Sequence, residues 1–187
     1  MKFMIIATAS AAALCAAAPA MAQTASAYGL DLSHPSYYGS LGDSYLSTNH
    51  DGGVDEITGR VGARFGNWGL EGEIGGGLSE GKVSNASGNS YTTQPIAGAG
   101  YVVGFLPVAP NLDLLARAGY GESNFHQTVN GVSSSGDTHS ANFGVGAQYW
   151  LTGNDAVRID YTRRDYLGGS QSPIGADAYA LSFVRKF

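Results

Sequence analysis

The chain has 187 residues, of which 10 are basic and 15 acidic, so its formal net charge is −5 at neutral pH. This balance, with no basic stripe, argues against nucleic acid as a partner. The chain contains 28 glycines but only 6 prolines and is long enough for one domain.

Residues 1–22 have the three features of a secretory signal peptide. Lys2 gives a positive start, residues 4–20 are apolar and rich in alanine, and Ala-Met-Ala at 20–22 is a cleavage motif. We therefore predict a cleaved signal peptide over 1–22 and a mature exported domain over 23–187. The alternative, a membrane-anchoring helix, is disfavoured because the apolar stretch is short.

The mature chain has neither cysteine nor a helical membrane span in its sequence pattern. Cys15, the single cysteine, falls within the signal peptide, so neither disulfides nor thiol chemistry are expected. No later run approaches the roughly 18 apolar residues that a spanning helix requires. If the mature protein lies in a membrane, it must cross as strands.

Residues 57–78 predict a β-hairpin. Side chains alternate in character on both sides of Gly66-Asn67, a dipeptide that favours a two-residue turn. Such a turn places Arg60 directly opposite Glu73 and Arg64 diagonal to Glu71. A soluble barrel would put the apolar face of this hairpin inside, whereas a membrane barrel would put it in lipid.

Six further alternating stretches bring the total to eight strands, with no strong helical segment. The strands are near 36–46, 57–65, 68–78, 91–106, 112–123, 138–151 and 157–162, followed by a last strand that ends at 187. Short connections at 66–67, 107–111 and 152–155 alternate with long polar ones at 47–53, 79–90, 124–136 and 167–175. This alternation is typical of an all-β, eight-stranded antiparallel up-and-down transmembrane β-barrel with short periplasmic turns and longer external loops.

Aromatic residues and the depth of one charge decide which face meets lipid. Apolar-face aromatics cluster towards the strand ends, as two interfacial girdles would: Phe65, Trp68, Phe105, Tyr149 and Phe187 near the turns, and Tyr45, Tyr120, Phe143, Tyr161 and Tyr179 near the long loops. Glu73 would stand about 15 Å up an apolar band about 25 Å tall. Because a charge at that depth is costly in lipid, Glu73 and Arg60 are predicted to face the lumen.

The mature chain resembles the small outer-membrane β-barrel family, which includes OmpA-like, OmpX-like and opacity-type barrels. The resemblance rests on YYGSLGDSY at 37–45, VGARFGNWGLEGE at 61–73, VRIDY at 157–161 and the terminal ALSFVRKF. It implies an outer-membrane location among lipid and lipopolysaccharide. It also implies that the barrel-assembly machinery reads the terminal strand, through Tyr179, Leu181, Phe183 and Phe187. Arg185 stands where the family often has an aromatic, and we expect it to reach the periplasmic interface.

Seven charged residues have luminal parity: Arg60, Arg64, Glu71, Glu73, Arg117, Arg158 and Asp160. They would either line a narrow, porin-like pore or pair with one another and plug it. We favour the plug, because eight strands leave an interior just wide enough for side chains to fill.

Two further sites are considered outside the lumen. Arg163 and Arg164 adjoin the last external loop, where they would either contact lipopolysaccharide phosphates or, if the strand ends at Tyr161, be solvated. A lipid A-modifying enzyme would need a serine, a histidine and a carboxylate together, and His126 or His139 with Asp137 or Glu122 is the conceivable set. No nucleophile elbow frames a serine there, and His34 and His50 supply no ordered metal-ligand spacing.

The sequence therefore predicts a non-enzymatic protein without metal or cofactor. Its expected role is envelope structure or surface interaction through the external loops. A narrow channel is the first alternative and a lipid A-modifying enzyme the second. The external ligand is not identified by any motif.

Overall fold

The protein, described here from a computed structural model, folds as a closed, all-antiparallel β-barrel of eight strands. The structure describes residues 29–48, 53–78, 81–85, 88–129, 132–167 and 175–187. The signal peptide predicted over 1–22 and His50 lie outside these ranges. Within them, no helix is long and apolar enough to cross a membrane.

Nine strand segments make the eight barrel strands, because the third barrel strand is described in two parts. The segments are β1 (Ser36–Thr48), β2 (Val54–Phe65), β3 (Trp68–Gly77), β4 (Gly81–Asn85), β5 (Gly88–Ala109), β6 (Leu112–Val129), β7 (Val132–Trp150), β8 (Asp155–Leu167) and β9 (Gly175–Lys186). Both β3 and β4 pair with β5, and β1 pairs with β9 to close the barrel.

The hairpin predicted over 57–78 has the predicted register. Phe65 pairs with Trp68 and Arg60 with Glu73 around the two-residue turn. Gly66 has a positive φ of 69°, a conformation that glycine adopts without strain. Leu30 forms an isolated bridge to Gly66, so the N-terminal lead lies at the same end of the barrel as the short turns.

The prediction of long loops at 79–90 and 124–136 is largely wrong, because most of these residues belong to strands. β6 and β7 stay paired from Leu112↔Tyr149 to Val129↔Val132, and β5 pairs with β6 as far out as Ser90↔Val129. An 18-residue strand such as β6, tilted by about 40°, rises about 45 Å, against an apolar band about 25 Å tall. The ends of β4 to β7 therefore project well beyond the barrel wall. The connections at 47–53 and 167–175 fall mostly outside the described residues.

Outside β5, the predicted lipid face of the strands is confirmed by the exposure of its side chains. Large apolar side chains such as Val61, Ile74 and Ile159 are more than half exposed on the outer wall. Trp68, Tyr149 and Phe187 mark the turn end, and Tyr45, Tyr120, Phe143 and Tyr179 mark the other end, as two girdles. Asp43 is an exception, since it is exposed on this same outer face beside Ile57 and Leu181.

Strand β5 is built the other way round, which corrects the place of Phe105 in the girdle. Tyr101, Val103 and Phe105 are buried at 1%, 0% and 4% exposure, so they face the lumen. Glycines occupy much of its outer face, where the indole of Trp68 lies 3.7 Å from a side-chain position on Gly104. Tyr101 and Phe105 therefore serve the interior.

Candidate functional site

The interior of the barrel is filled by a network of buried ion pairs, which we call the luminal charge network. At its centre Arg60 joins two opposite walls. Its Nε donates to Glu73 on β3 at 2.8 Å, and its two terminal nitrogens donate to both oxygens of Asp160 on β8, at 2.9 and 3.1 Å. All three side chains are at most 4% exposed. The geometry with Asp160 is the bidentate pairing that suits a planar guanidinium.

Arg117 and Arg158 extend this network through the middle of the lumen. Arg117 on β6 donates to Glu71 at 3.2 Å, to Glu73 at 3.0 Å and to Asp160 at 2.7 Å. Arg158 on β8 is fully buried and donates to both oxygens of Glu71, at 2.6 and 3.3 Å. Each carboxylate therefore accepts from at least two arginines, and each arginine serves at least two carboxylates.

Arg164 belongs to this network and not to the lipopolysaccharide-facing surface, which corrects the earlier prediction. The strand does not end at Tyr161, because β8 continues to Leu167 and stays paired with β7, where Asn142 lies opposite Arg164. The alternation then turns Arg164 inward, to 5% exposure, where one terminal nitrogen lies 3.3 Å from Glu56 and 3.4 Å from Glu73.

The external end of the network is bonded more loosely than its centre. Its ion-pair distances of 3.3 and 3.4 Å exceed the 2.6 to 3.0 Å of the shortest central contacts. Within the described part of the chain, the other terminal nitrogen of Arg164 and Oε1 of Glu56 have no hydrogen-bond partner. A side chain on Gly75 would overlap the carboxylate of Glu56, so glycine at this position leaves the space that Glu56 occupies.

At the turn end, Arg64 pairs with Asp113 and not with Glu71, its predicted diagonal neighbour. Nη1 of Arg64 donates to Asp113 at 2.7 Å, and Nε donates to the carbonyl of Gly66 at 2.8 Å. The indole nitrogen of Trp150 donates to the same Asp113 oxygen at 3.0 Å. This pair is separate from the central network.

Two tyrosines complete the network and pack against its arginines. The hydroxyl of Tyr38 donates to Glu71 at 2.9 Å, and that of Tyr101 donates to Glu73 at 3.2 Å. The guanidinium of Arg117 lies 4.5 Å above the Tyr101 ring, and that of Arg64 lies 4.4 Å above the Phe105 ring. The inward rings of β5 thus provide flat apolar surfaces on which guanidinium groups stack.

Among the described residues, the arginines that face the lumen equal the carboxylates in number. Six of the seven predicted luminal residues meet in the central network, the seventh, Arg64, pairs with Asp113 at the turn end, and the structure adds three residues to the predicted set: Arg164, Glu56 and Asp113. The five arginines are Arg60, Arg64, Arg117, Arg158 and Arg164, and the five carboxylates are Glu56, Glu71, Glu73, Asp113 and Asp160. Most of their contacts cross the lumen between strands that share no backbone hydrogen bonds, such as Arg60 on β2 with Asp160 on β8, so the network fixes the barrel's cross-section as well as filling it.

The remaining predicted residues lie on the outside of the barrel. Tyr179, Leu181, Phe183 and Phe187 are 49% to 81% exposed on the lipid face of β9. Arg185 is also exposed and lies 3.4 Å from Asp155 at the turn end. Arg163 faces outward and is held by Asp165 at 2.9 Å and by Asp177 at 3.1 Å.

The described histidines form no metal site. Among the described residues, no group of three or more histidine, cysteine or acidic side chains could hold a metal ion. His139 stacks on Tyr120 on the outer wall, with ring centroids 5.7 Å apart. His34 lies 3.4 Å from Asp31, whose pKa is lowered mainly by the backbone N–H of Ser33 and further by His34. The side chain of His126 lies outside the described set.

Comparison with known proteins assigns this barrel to a family. A family model described as "Outer membrane protein beta-barrel domain" matches residues 7–187. The chain belongs to this outer-membrane β-barrel family. No curated protein matches it.

Several solved outer-membrane barrels share its fold. Neisserial surface protein A is 11% identical, with a TM-score of 0.57, and the match covers 82% of this chain and 97% of that one. The N-terminal barrel domain of OprF from Pseudomonas aeruginosa is 14% identical, with a TM-score of 0.58 and coverages of 80% and 97%. OprG from the same organism is 10% identical, with a TM-score of 0.59 and coverages of 81% and 96%. The family match assigns this barrel to the outer membrane, and the solved barrels share its fold; in such barrels the short turns lie on the periplasmic side.

Proposed function

We propose that this outer-membrane barrel is a non-conducting envelope protein that acts through its projecting external hairpins. The luminal charge network carries this proposal. Nine buried charged side chains and the half-buried Arg64 bridge the lumen at contact distances, and the rings of Tyr38, Tyr101 and Phe105 fill the space between them. A water-filled pathway would have to pass through ion pairs whose side chains are at most 4% exposed.

The external strand ends support the second half of the proposal. β4, β5, β6 and β7 form a continuous sheet that rises beyond the wall on one side of the barrel. Such a projection adds nothing to a channel or to membrane anchoring. It offers extended, hydrogen-bonding surface to the exterior, which is what a contact with another surface requires.

Planar-bilayer recording tests the plug. The refolded, unmodified protein should give no stable single-channel steps. The variants Arg60→Gln and Glu73→Gln either open a path through the plug and give steps, or leave the plug closed and give none. Steady steps from the unmodified protein that change size in these two variants would establish a narrow channel instead. Glu122→Gln, which removes a carboxylate from the outer wall, is the matched control.

Complementation of a deletion strain tests the surface role. Cells carrying the unmodified barrel are compared with cells carrying a variant trimmed at its longest hairpin, between Asn124 and Asp137, which are paired across β6 and β7. Detergent sensitivity reports envelope integrity, and cell sedimentation and adhesion to a solid support report surface contact. The trimmed barrel should restore integrity but not adhesion. Equal adhesion by both variants contradicts the role of this hairpin.

One observation keeps a lipid A-modifying activity as a second candidate. Register pairs His126 with Ser135 and, four residues or about 13 Å lower, Glu122 with His139, so the residue types of a hydrolytic triad lie on the same two paired strands at the external end. The lipid A mass spectrum of cells that overproduce the protein, compared with Ser135→Ala, tests this. A change in acyl-chain number that Ser135→Ala abolishes would replace the non-enzymatic proposal.

Of the two arginines only Arg163 faces outward, and we propose only a weak lipopolysaccharide contact for it. Its guanidinium faces outward but already binds Asp165 and Asp177, so any phosphate would compete with two carboxylates. We expect Arg163→Gln to change co-purified lipopolysaccharide little. Recognition of the terminal strand by the barrel-assembly machinery is likewise proposed, through Phe187 and the alternate apolar residues that precede it.

A further inference from the structure

The turn end of the lumen contains a cavity of about 360 Å³ that the central ion pairs of the luminal charge network leave unfilled. We call it the turn-end vestibule. Its walls include Arg64, Asp113, Trp150 and Lys186, and the Thr152-Gly153 turn lies at its mouth. Its volume lies within the range of about 300 to 1,000 Å³ that small-molecule sites occupy.

The vestibule is closed at its inner end. The rings of Tyr38 and Phe105 meet edge to face there, with centroids 6.4 Å apart and planes at 88°. Both rings are buried, as is Gln148 at 3% exposure. On the far side of the Tyr38 ring, the Tyr38 hydroxyl donates to Glu71 of the luminal charge network. A molecule that enters from the periplasm therefore reaches a floor and not a conduit.

The charges of the vestibule leave one cation in excess. Asp113 is satisfied by Arg64 and by the indole N–H of Trp150. The ammonium of Lys186 lies 5.3 Å from the centre of the Trp150 ring, and no carboxylate of the described residues lies within 4 Å of it. A cation over an aromatic face retains the capacity to donate its N–H groups to an anion.

We propose that the turn-end vestibule binds a small amphipathic anion from the periplasm, with its negative group on Lys186 and a flat apolar body against Trp150. The negative charge follows from the unpaired ammonium, and the flat body follows from the aromatic walls. A cationic ligand is disfavoured, because Arg64 already neutralises the single acidic side chain of the cavity. The site is independent of the external hairpins.

The chain provides its own reporter for this site, because it has two tryptophans. Trp150 lines the vestibule, whereas Trp68 is 43% exposed on the lipid face. Trp68→Phe leaves Trp150 as the fluorophore, and Trp150→Phe leaves Trp68. Full-length mature protein of each kind, refolded in lipid nanodiscs, is titrated with 4-nitrobenzoate, a quenching aromatic anion. The neutral 4-nitrobenzamide is titrated in parallel.

We expect saturable quenching of Trp150 by the anion, with the amide binding more weakly. Lys186→Gln in the Trp68→Phe protein should weaken binding of the anion about fivefold, as expected for a partly exposed charge pair. Lys186→Arg should retain it. Arg185→Gln, which removes the neighbouring positive charge on the outer wall, should leave it unchanged. A folding check by heat-modifiability on a gel accompanies each variant.

Three results would overturn the proposal. The first is equal binding of anion and amide, which would remove the role of charge. The second is unchanged affinity in Lys186→Gln. The third is quenching of Trp68 equal to that of Trp150, which would show partition into lipid and no defined site.

Discussion

Neutralising Glu73 is the sharpest test of the luminal charge network. Its carboxylate accepts from Arg60 at 2.8 Å, from Arg117 at 3.0 Å and from Arg164 at 3.4 Å. Glu73→Gln keeps the size of the side chain but leaves five luminal arginines against four carboxylates. Breaking a buried ion pair by removing one partner costs about 3–5 kcal/mol. We expect a loss in this range for the free energy of unfolding.

The structure also shows where that loss arises. Arg60 keeps both oxygens of Asp160, and Arg117 keeps Glu71 and Asp160, so neither is left alone. Arg164 keeps only Glu56, at 3.3 Å. Removing its charge as well, in the double variant Glu73→Gln/Arg164→Met, restores neutrality. We therefore expect the double variant to recover about 2 kcal/mol relative to the sum of the single losses, within the range of coupled neighbours.

Urea unfolding of the barrel in lipid vesicles, followed by tryptophan fluorescence, measures these free energies. Glu122→Gln, which removes a carboxylate from the outer wall, is the control and should change stability little. A loss below about 1 kcal/mol for Glu73→Gln would refute the view that these charges are desolvated and mutually dependent. Strict additivity in the double variant would do the same.

Three further substitutions should behave as follows in the same unfolding assay. Tyr101→Phe should cost about 1–2 kcal/mol, because it removes the hydroxyl that bonds Glu73 and Asn142 but keeps the ring under Arg117; a neutral result would show these hydrogen bonds to be replaced. Gly62→Ala should cost about 1–3 kcal/mol, because its methyl group overlaps the Tyr38 ring, whereas Gly100→Ala, which has open space, is the control. Asp43→Leu should stabilise the barrel by about 1 kcal/mol if its carboxylate faces lipid, and a destabilisation would indicate a partner on that face.

The sequence predicted most where two signals agreed. In the hairpin of β2 and β3, a two-residue turn and strict alternation set the register together, so the Arg60–Glu73 pair was predicted correctly. The contacts across the lumen could not be predicted from the sequence. Arg60 and Asp160 are 100 residues apart, and which wall faces which depends on the shear of the closed barrel.

Three errors have identifiable physical causes. The polar run Arg163-Arg164-Asp165 suggested a strand end, but its residues are paired with β7 and β9 and simply alternate outward, inward and outward. In β5 the alternation of side chains between two faces was predicted correctly, but the face predicted to meet lipid is the one that faces the lumen. Neither face of that strand carries a charge between Ile96 and Leu106, so hydropathy favoured placing its aromatics in lipid. Glu56 was missed because the strand was expected to begin at Ile57.

The inversion of β5 shows what a charged interior contributes to this fold. A strand with weakly contrasting faces can insert with either face towards lipid, because a one-residue slip exchanges the two faces. β5 is fixed by its neighbours: Glu71 and Glu73 on β3 and Arg117 on β6 must reach one another inside the barrel. Its inward rings then meet the guanidinium groups of Arg117 and Arg64. Buried ion pairs add little net stability over an apolar filling, but an apolar filling would give every strand the ambiguity of β5. We therefore assign the network the role of specifying which face of each strand meets the membrane, in addition to closing the lumen.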